Sequence, residues 1–144
     1  MSARDTFEVR ILVPEAATVV WDKLTDLDRH SATIPLTRVV PAGQHMHQGL
    51  QFVGETRVGP LLMADEMVVR RADPPKGGHA GALVVEKFGP VAGTVEATVE
   101  QVPTGTLVVW RQSLRPAWLP TFLRAPGALV ARLAYGVGLR RLVS

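Results

Sequence analysis

Cysteine is absent from the 144-residue chain, which removes disulfides, thiolate nucleophiles and cysteine-built zinc sites together and leaves packing to hold the fold. Long apolar runs are missing too. No stretch approaches the roughly 20 apolar residues a helical membrane span requires. The N-terminal MSARDTFEVRILVPE interrupts any signal-like apolar core with Glu8, Arg10 and Pro14. At this length one core can bury most of the apolar surface. The expectation is a single domain, 1–144, in a reducing cytoplasm, with no integral membrane segment.

Acidic residues are missing from the last third. All 13 Asp and Glu precede residue 101 and face 10 Lys and Arg there, whereas Arg111, Arg115, Arg124, Arg132, Arg140 and Arg141 stand unopposed after it. These arginines follow a strand end and a helical pattern instead of alternating with aromatics in a basic loop. They read as a solvated face, and no nucleic-acid partner is expected. The motifs of covalent, phosphate and redox chemistry are also lacking: there is no Gly-x-Ser-x-Gly elbow, phosphate-cradling glycine loop, HExxH or dinucleotide fingerprint. No cofactor is expected. His45 and His47 have an i, i+2 spacing suited to a metal, but no third or fourth ligand accompanies them between Gly43 and Gly49, so no metal site is expected either.

What is present is a clear order of elements. TFEVRILV, 6–13, alternates apolar and polar side chains with the period of a strand. Pro14 ends it. A short helix, Glu15 to about Thr25, follows from the spacing of Ala17, Val20, Trp21 and Leu24, with Glu15 in its first turn. A second, near Asp28 to Ala32, is capped by Asp26 or Asp28 and stopped before Pro35. Glycine and proline then punctuate six further runs: 37–40, 51–57, 62–71, 82–88, 94–101 and 106–115. The short gaps permit antiparallel hairpins and exclude crossover helices.

The tail regains helical spacing. Leu129, Val130, Leu133, Ala134, Val137 and Leu142 fall mostly on one side and Arg132, Arg140 and Arg141 on another. Pro126 opens or kinks this helix, leaving Trp118 to Arg124 as a separate turn. The fold class is therefore α+β: a curved, seven-stranded antiparallel sheet whose concave face grips the C-terminal helix. Where the two part, an apolar cavity remains.

FEVRILVPEAATVVWDKLTDLDRHSATIP, GLQFVGETRVGPLLMADEMVVRRADPP and the closing GLRRL resemble the actinobacterial branch of the SRPBCC superfamily, the START-domain and birch-pollen-allergen-like, polyketide cyclase/dehydrase-like proteins. The resemblance covers nearly the whole chain and implies the helix-grip fold. It also implies a hydrophobic small-molecule partner, polyketide-like, aromatic or lipidic, and, if there is catalysis, cyclisation or dehydration driven by proximity.

His30 lies where the short helices meet the cavity mouth in the resembled fold, and it suits proton transfer or hydrogen bonding. On the fourth strand Leu61, Met63, Asp65, Met67 and Val69 form the more apolar face, which turns Asp65 inward; a one-residue slip would present Glu66 instead. His30 and Asp65 are the catalytic candidates. Trp21, Met63, Met67, Trp110, Phe122 and Leu133 are expected to shape the pocket, Trp21 chiefly as a core side chain and Trp110 if it faces inward. Lys87 has no register signal. The rival reading is an interaction module in which Arg124, Arg132, Arg140 and Arg141 beside apolar residues meet a partner protein or an anionic membrane; a homodimer stays open.

Overall fold

The computed structural model describes residues 6–33, 37–89, 91–113, 115–116, 133 and 136–143. The chain opens with β1 (Thr6–Val13), passes through α1 (Ala17–Thr25) and α2 (Leu27–Thr33), and then lays down β2 (Thr37–Val40), β3 (Gln51–Val58) and β4 (Leu61–Asp73). It continues with β5 (Gly81–Phe88), β6 (Val91–Val102), β7 (Gly105–Ser113) and a two-residue β8 (Arg115–Pro116). Residues 136–143 are helical and are called α3 here. Seven strands run in the order β1-β7-β6-β5-β4-β3-β2, with β8 on the start of β6. Every pairing is antiparallel, as the short connections require. Among the described residues no helix is long and apolar enough to cross a membrane.

The sheet buries one face. On β5, Gly81, Leu83, Val85 and Lys87 are buried in alternation, and on β6 Val95, Ala97 and Val99 are, while Glu96, Thr98 and Glu100 are exposed. β4 keeps Asp65 and Val69 buried until a register shift between Val69 and Arg71 changes the parity. One extra residue at Arg70 brings Ala72 against the core, which strict alternation from Leu61 does not anticipate. Val20 and Leu24 of α1, Leu27 of α2 and Leu139, Leu142 and Val143 of α3 join the inward strand residues in one cluster.

Two corrections concern the helices. Glu15 lies before α1, not in its first turn: α1 starts at Ala17, whose N–H donates to Gln101 Oε1 at 2.9 Å. The Glu15 carboxylate accepts from Lys23 Nζ at 2.8 Å instead. At the other end of the chain the expected apolar side of the terminal helix is out of phase. Leu133 and Val137 are exposed, at 64% and 52%, together with Arg140 and Arg141, and the face turned inward is built on Leu139, Leu142 and Val143. Residues 137, 140 and 141 share one helix face by 3.6-residue geometry, so once the sheet takes Leu139 and Leu142 that face must meet solvent. Arg29 holds the end of α3 by donating from Nε and Nη2 to Leu142 O at 3.1 and 2.9 Å. Arg124, Arg132, Pro126 and the turn expected over 118–124 lie outside the described residues.

Candidate functional site

α2 is set by its cap. Asp26 Oδ1 accepts from the backbone N–H of Asp28 at 3.0 Å and of Arg29 at 3.4 Å, satisfying donors that a helix start leaves open. That cap places His30 one turn later. His30 is 5% exposed, and its Nε2 lies 2.6 Å from Leu24 O, one of the carbonyls at the end of α1. A carbonyl only accepts, so Nε2 carries the hydrogen and Nδ1 is the ring's acceptor. Burial holds the imidazole below its ordinary pKa, against the opposing pull of the Leu24 carbonyl and the Asp26 charge. At neutral pH the ring is therefore a base at Nδ1, with its one proton committed to joining the two helices.

A pH dependence follows. A folded-state pKa lowered below the ordinary 6.5 means that the unfolded chain binds this proton more readily. The stability contributed by neutral His30 is complete above the unfolded pKa and falls as the pH drops below it towards the folded value, by at most about 1.4 kcal/mol per pH unit. Urea unfolding of wild type and His30→Gln between pH values around seven and five should show that slope in the wild type and its loss in the variant.

His30 borders a cavity of about 90 Å³ between α2 and the sheet. β4 contributes Asp65 and Met67, β5 Lys87, and β7 Trp110 and Gln112; most of the remaining wall is apolar. Of the seven buried polar residues among those described, four line this one space: His30, Asp65, Lys87 and Gln112. That convergence singles it out. A groove of about 460 Å³ on Val40, Pro41, Val53, Glu66 and Phe88 is larger, but it is more open and shares only Phe52 and Met67 with the cavity.

The register of β4 is settled by burial: Asp65 is 7% exposed and Glu66 is turned to solvent. Gly54 stands opposite Asp65 on β3, and a Cβ there would lie 2.5 Å from Met67 Cε. The missing side chain makes room for the methionine. On β7, Trp110 Nε1 donates to Gln112 Oε1 at 3.0 Å. An indole N–H has no acceptor role, so the Gln112 oxygen must face it, and Gln112 Nε2 is left buried without a partner. Such an orphaned donor costs about 1–3 kcal/mol.

The sequence-derived site residues separate accordingly. His30, Asp65, Met67 and Trp110 are brought together around the cavity. Trp21 is buried elsewhere, over Gly81 and Pro75: a Cβ on Gly81 would meet Trp21 Cε3 and Pro75 Cδ at 2.8 Å, so the indole serves as packing and not as cavity wall. Met63 is half-buried opposite Thr56, nearer the hairpin tip, and does not line the space. Leu133 is exposed and does not line the cavity, and Phe122 lies outside the described residues. Arg111 faces outward and donates to Glu8 Oε1 at 2.9 Å. His45 lies beside Asp22 at 3.3 Å, on the surface.

Sequence reading leaves Lys87 unplaced and does not single out Gln112; the structure buries Lys87 in phase with Leu83 and Val85, and Gln112 in phase with Val108 and Trp110.

No family model and no curated protein sequence matches the chain. Solved structures do. A Chromobacterium violaceum protein superposes with a TM-score of 0.71 at 12% identity, covering 96% of this chain and 95% of its own. The Zhui aromatase/cyclase from Streptomyces sp. R1128 gives 0.67 at 16% identity over 96% and 90% of the two chains. Ara h 8.0201 gives 0.64 at 9% identity over 95% and 96%. The chain has the helix-grip fold. In this helix-grip protein the cavity lies between the short helices and the inner face of the sheet, and the likeness extends along nearly the full length of all three neighbours.

Proposed function

We propose that this helix-grip protein binds a compact, largely apolar small molecule, aromatic in character, in the cavity beneath α2. The observation that carries the reading is the convergence of four buried polar residues on one largely apolar space. Volume narrows the ligand class. At about 90 Å³ the space is smaller than most ligand pockets, and an apolar cavity of about 150 Å³ is what holds benzene elsewhere. A ring-sized ligand fits if the wall yields modestly, and Met46 and Met67 are unbranched side chains able to do so. An extended lipid or a multi-ring polyketide asks for much more. One solved neighbour is an aromatase/cyclase, and on that likeness His30 Nδ1 as base and Asp65 as its carboxylate counterpart are the groups to which proton transfer would fall.

Toluene at a hundredfold excess over its Kd should stabilise the fold by about 2.7 kcal/mol, a rise in Tm on the order of 5–10 °C for a chain of this size. Differential scanning fluorimetry across a series of single-ring compounds checks this. A series without a single stabilising member at saturation would remove the reading. The exposed face of Leu133, Val137, Arg140 and Arg141 leaves room for a surface-binding role, but it has no built site comparable to the cavity.

A further inference from the structure

We infer that the cavity selects ligands bearing a negatively charged oxygen, a carboxylate or a phenolate, which Lys87 and Gln112 hold between them; the inference rests on the cavity being the ligand chamber. Lys87 is 7% exposed on the inner face of β5 and makes no hydrogen bond or ion pair among the described residues. A lysine buried to this extent calls for a counter-charge. The nearest carboxylate by position is Asp65, diagonal to Lys87, because Lys87 pairs with Met67 across β4 and β5. Yet Asp65 and Lys87 form no ion pair, and Asp65 Oδ1 lies against Gly89, where an added Cβ would sit 3.0 Å away. The remaining titratable group on the wall, His30, is kept neutral by burial.

A second observation points the same way. Gln112 Nε2 is buried with both hydrogens unmatched, and Trp110 fixes the amide so that it is this nitrogen, not the oxygen, that is left over. The surplus on the cavity wall therefore consists of donors: three N–H on Lys87 and two on Gln112. A ligand oxygen with full negative charge and several lone pairs answers both. A neutral hydrocarbon answers neither.

Benzoate, its neutral isostere benzamide, and toluene separate the possibilities in isothermal titration calorimetry of the full chain at neutral pH. Benzoate should bind about tenfold more tightly than benzamide. Lys87→Met should bring benzoate down to the level of benzamide. Gln112→Glu retains an oxygen for the Trp110 indole but sets another where the amide nitrogen stood, and it should lower the ratio of benzoate to toluene affinity by about tenfold. Near-ultraviolet circular dichroism of Trp110 verifies that each variant is folded. Equal affinity for benzoate and benzamide in the wild type, or a preference that survives Lys87→Met, overturns the inference while toluene binding keeps the chamber intact. Failure of all three compounds to bind removes the chamber and the inference together.

Discussion

Gly54→Val is expected to abolish ligand binding, weakening the affinity for toluene about 100-fold or more, which corresponds to about 2.7 kcal/mol. Gly54 is buried on the inner face of β3, and the space its missing side chain leaves is occupied in part by Met67 Cε, 2.5 Å from where a Cβ would stand. Valine puts three carbon atoms into a cavity of about 90 Å³, roughly the liquid volume of three water molecules. Because the displaced atom is the tip of a flexible side chain, the fold should survive the substitution; β-branched residues also suit strands. The double variant Gly54→Val with Met67→Ala should recover binding, since removing the methionine returns the volume. Calorimetric titration of the three proteins tests this. Retention of wild-type affinity by Gly54→Val would place the ligand outside this cavity.

A large loss of stability is expected on substitution of Gly105. It opens β7 with a φ of +145°, and a Cβ there would lie 2.2 Å from Val13 O and 3.0 Å from Pro14 Cα. Backbone atoms cannot step aside as a side chain can. The surrounding corner is also fully used: Thr106 Oγ1 donates to Glu15 O at 2.6 Å and Gln101 Nε2 to Gly105 O at 2.5 Å. Gly105→Ala should cost about 3 kcal/mol or more, a fall in Tm on the order of 10 °C. Gly43 supplies the control, with a φ of +75° and nothing within 4 Å of its added Cβ. Gly43→Ala should cost about 1 kcal/mol from backbone conformation alone. Thermal melts of both variants separate the contributions, and equal losses would refute the clash.

The order of elements along the chain and the number of principal strands are legible because alternation and Gly/Pro punctuation are local signals, whereas the closure of β1 on β7 is not. The run 37–40 is read to the residue, and most other strands to within one or two. Where reading from sequence falters, a non-local fact decides. The bulge at Arg70 depends on how β4 meets β5, and nothing in LLMADEMVVRRAD announces it. The phase of α3 depends on which helix face the sheet accepts, and it leaves Val137 in solvent while burying Leu139 and Leu142. The cavity polar groups divide in the same way. Asp65 stands out as a break in an apolar alternation, and Trp21, read chiefly as a core side chain though also offered for the pocket, is packed over Gly81 and Pro75.

The strap formed by α1 and α2 has a mechanical consequence. It links β1 to β2, the two outermost strands of the sheet, much as a string joins the tips of a bow. One end is tied to the β6–β7 hairpin through Gln101 and Thr106; the other is tied to the segment around β2 by Ser31 Oγ, which accepts from Val39 N at 2.8 Å, and by Asp28 Oδ1, which accepts from Gly43 N at 2.9 Å. A string of fixed length sets how far the bow can open. On the proposed ligand reading, guests of different girth would then be admitted by thioether side chains swinging aside, with the arc of the sheet held constant.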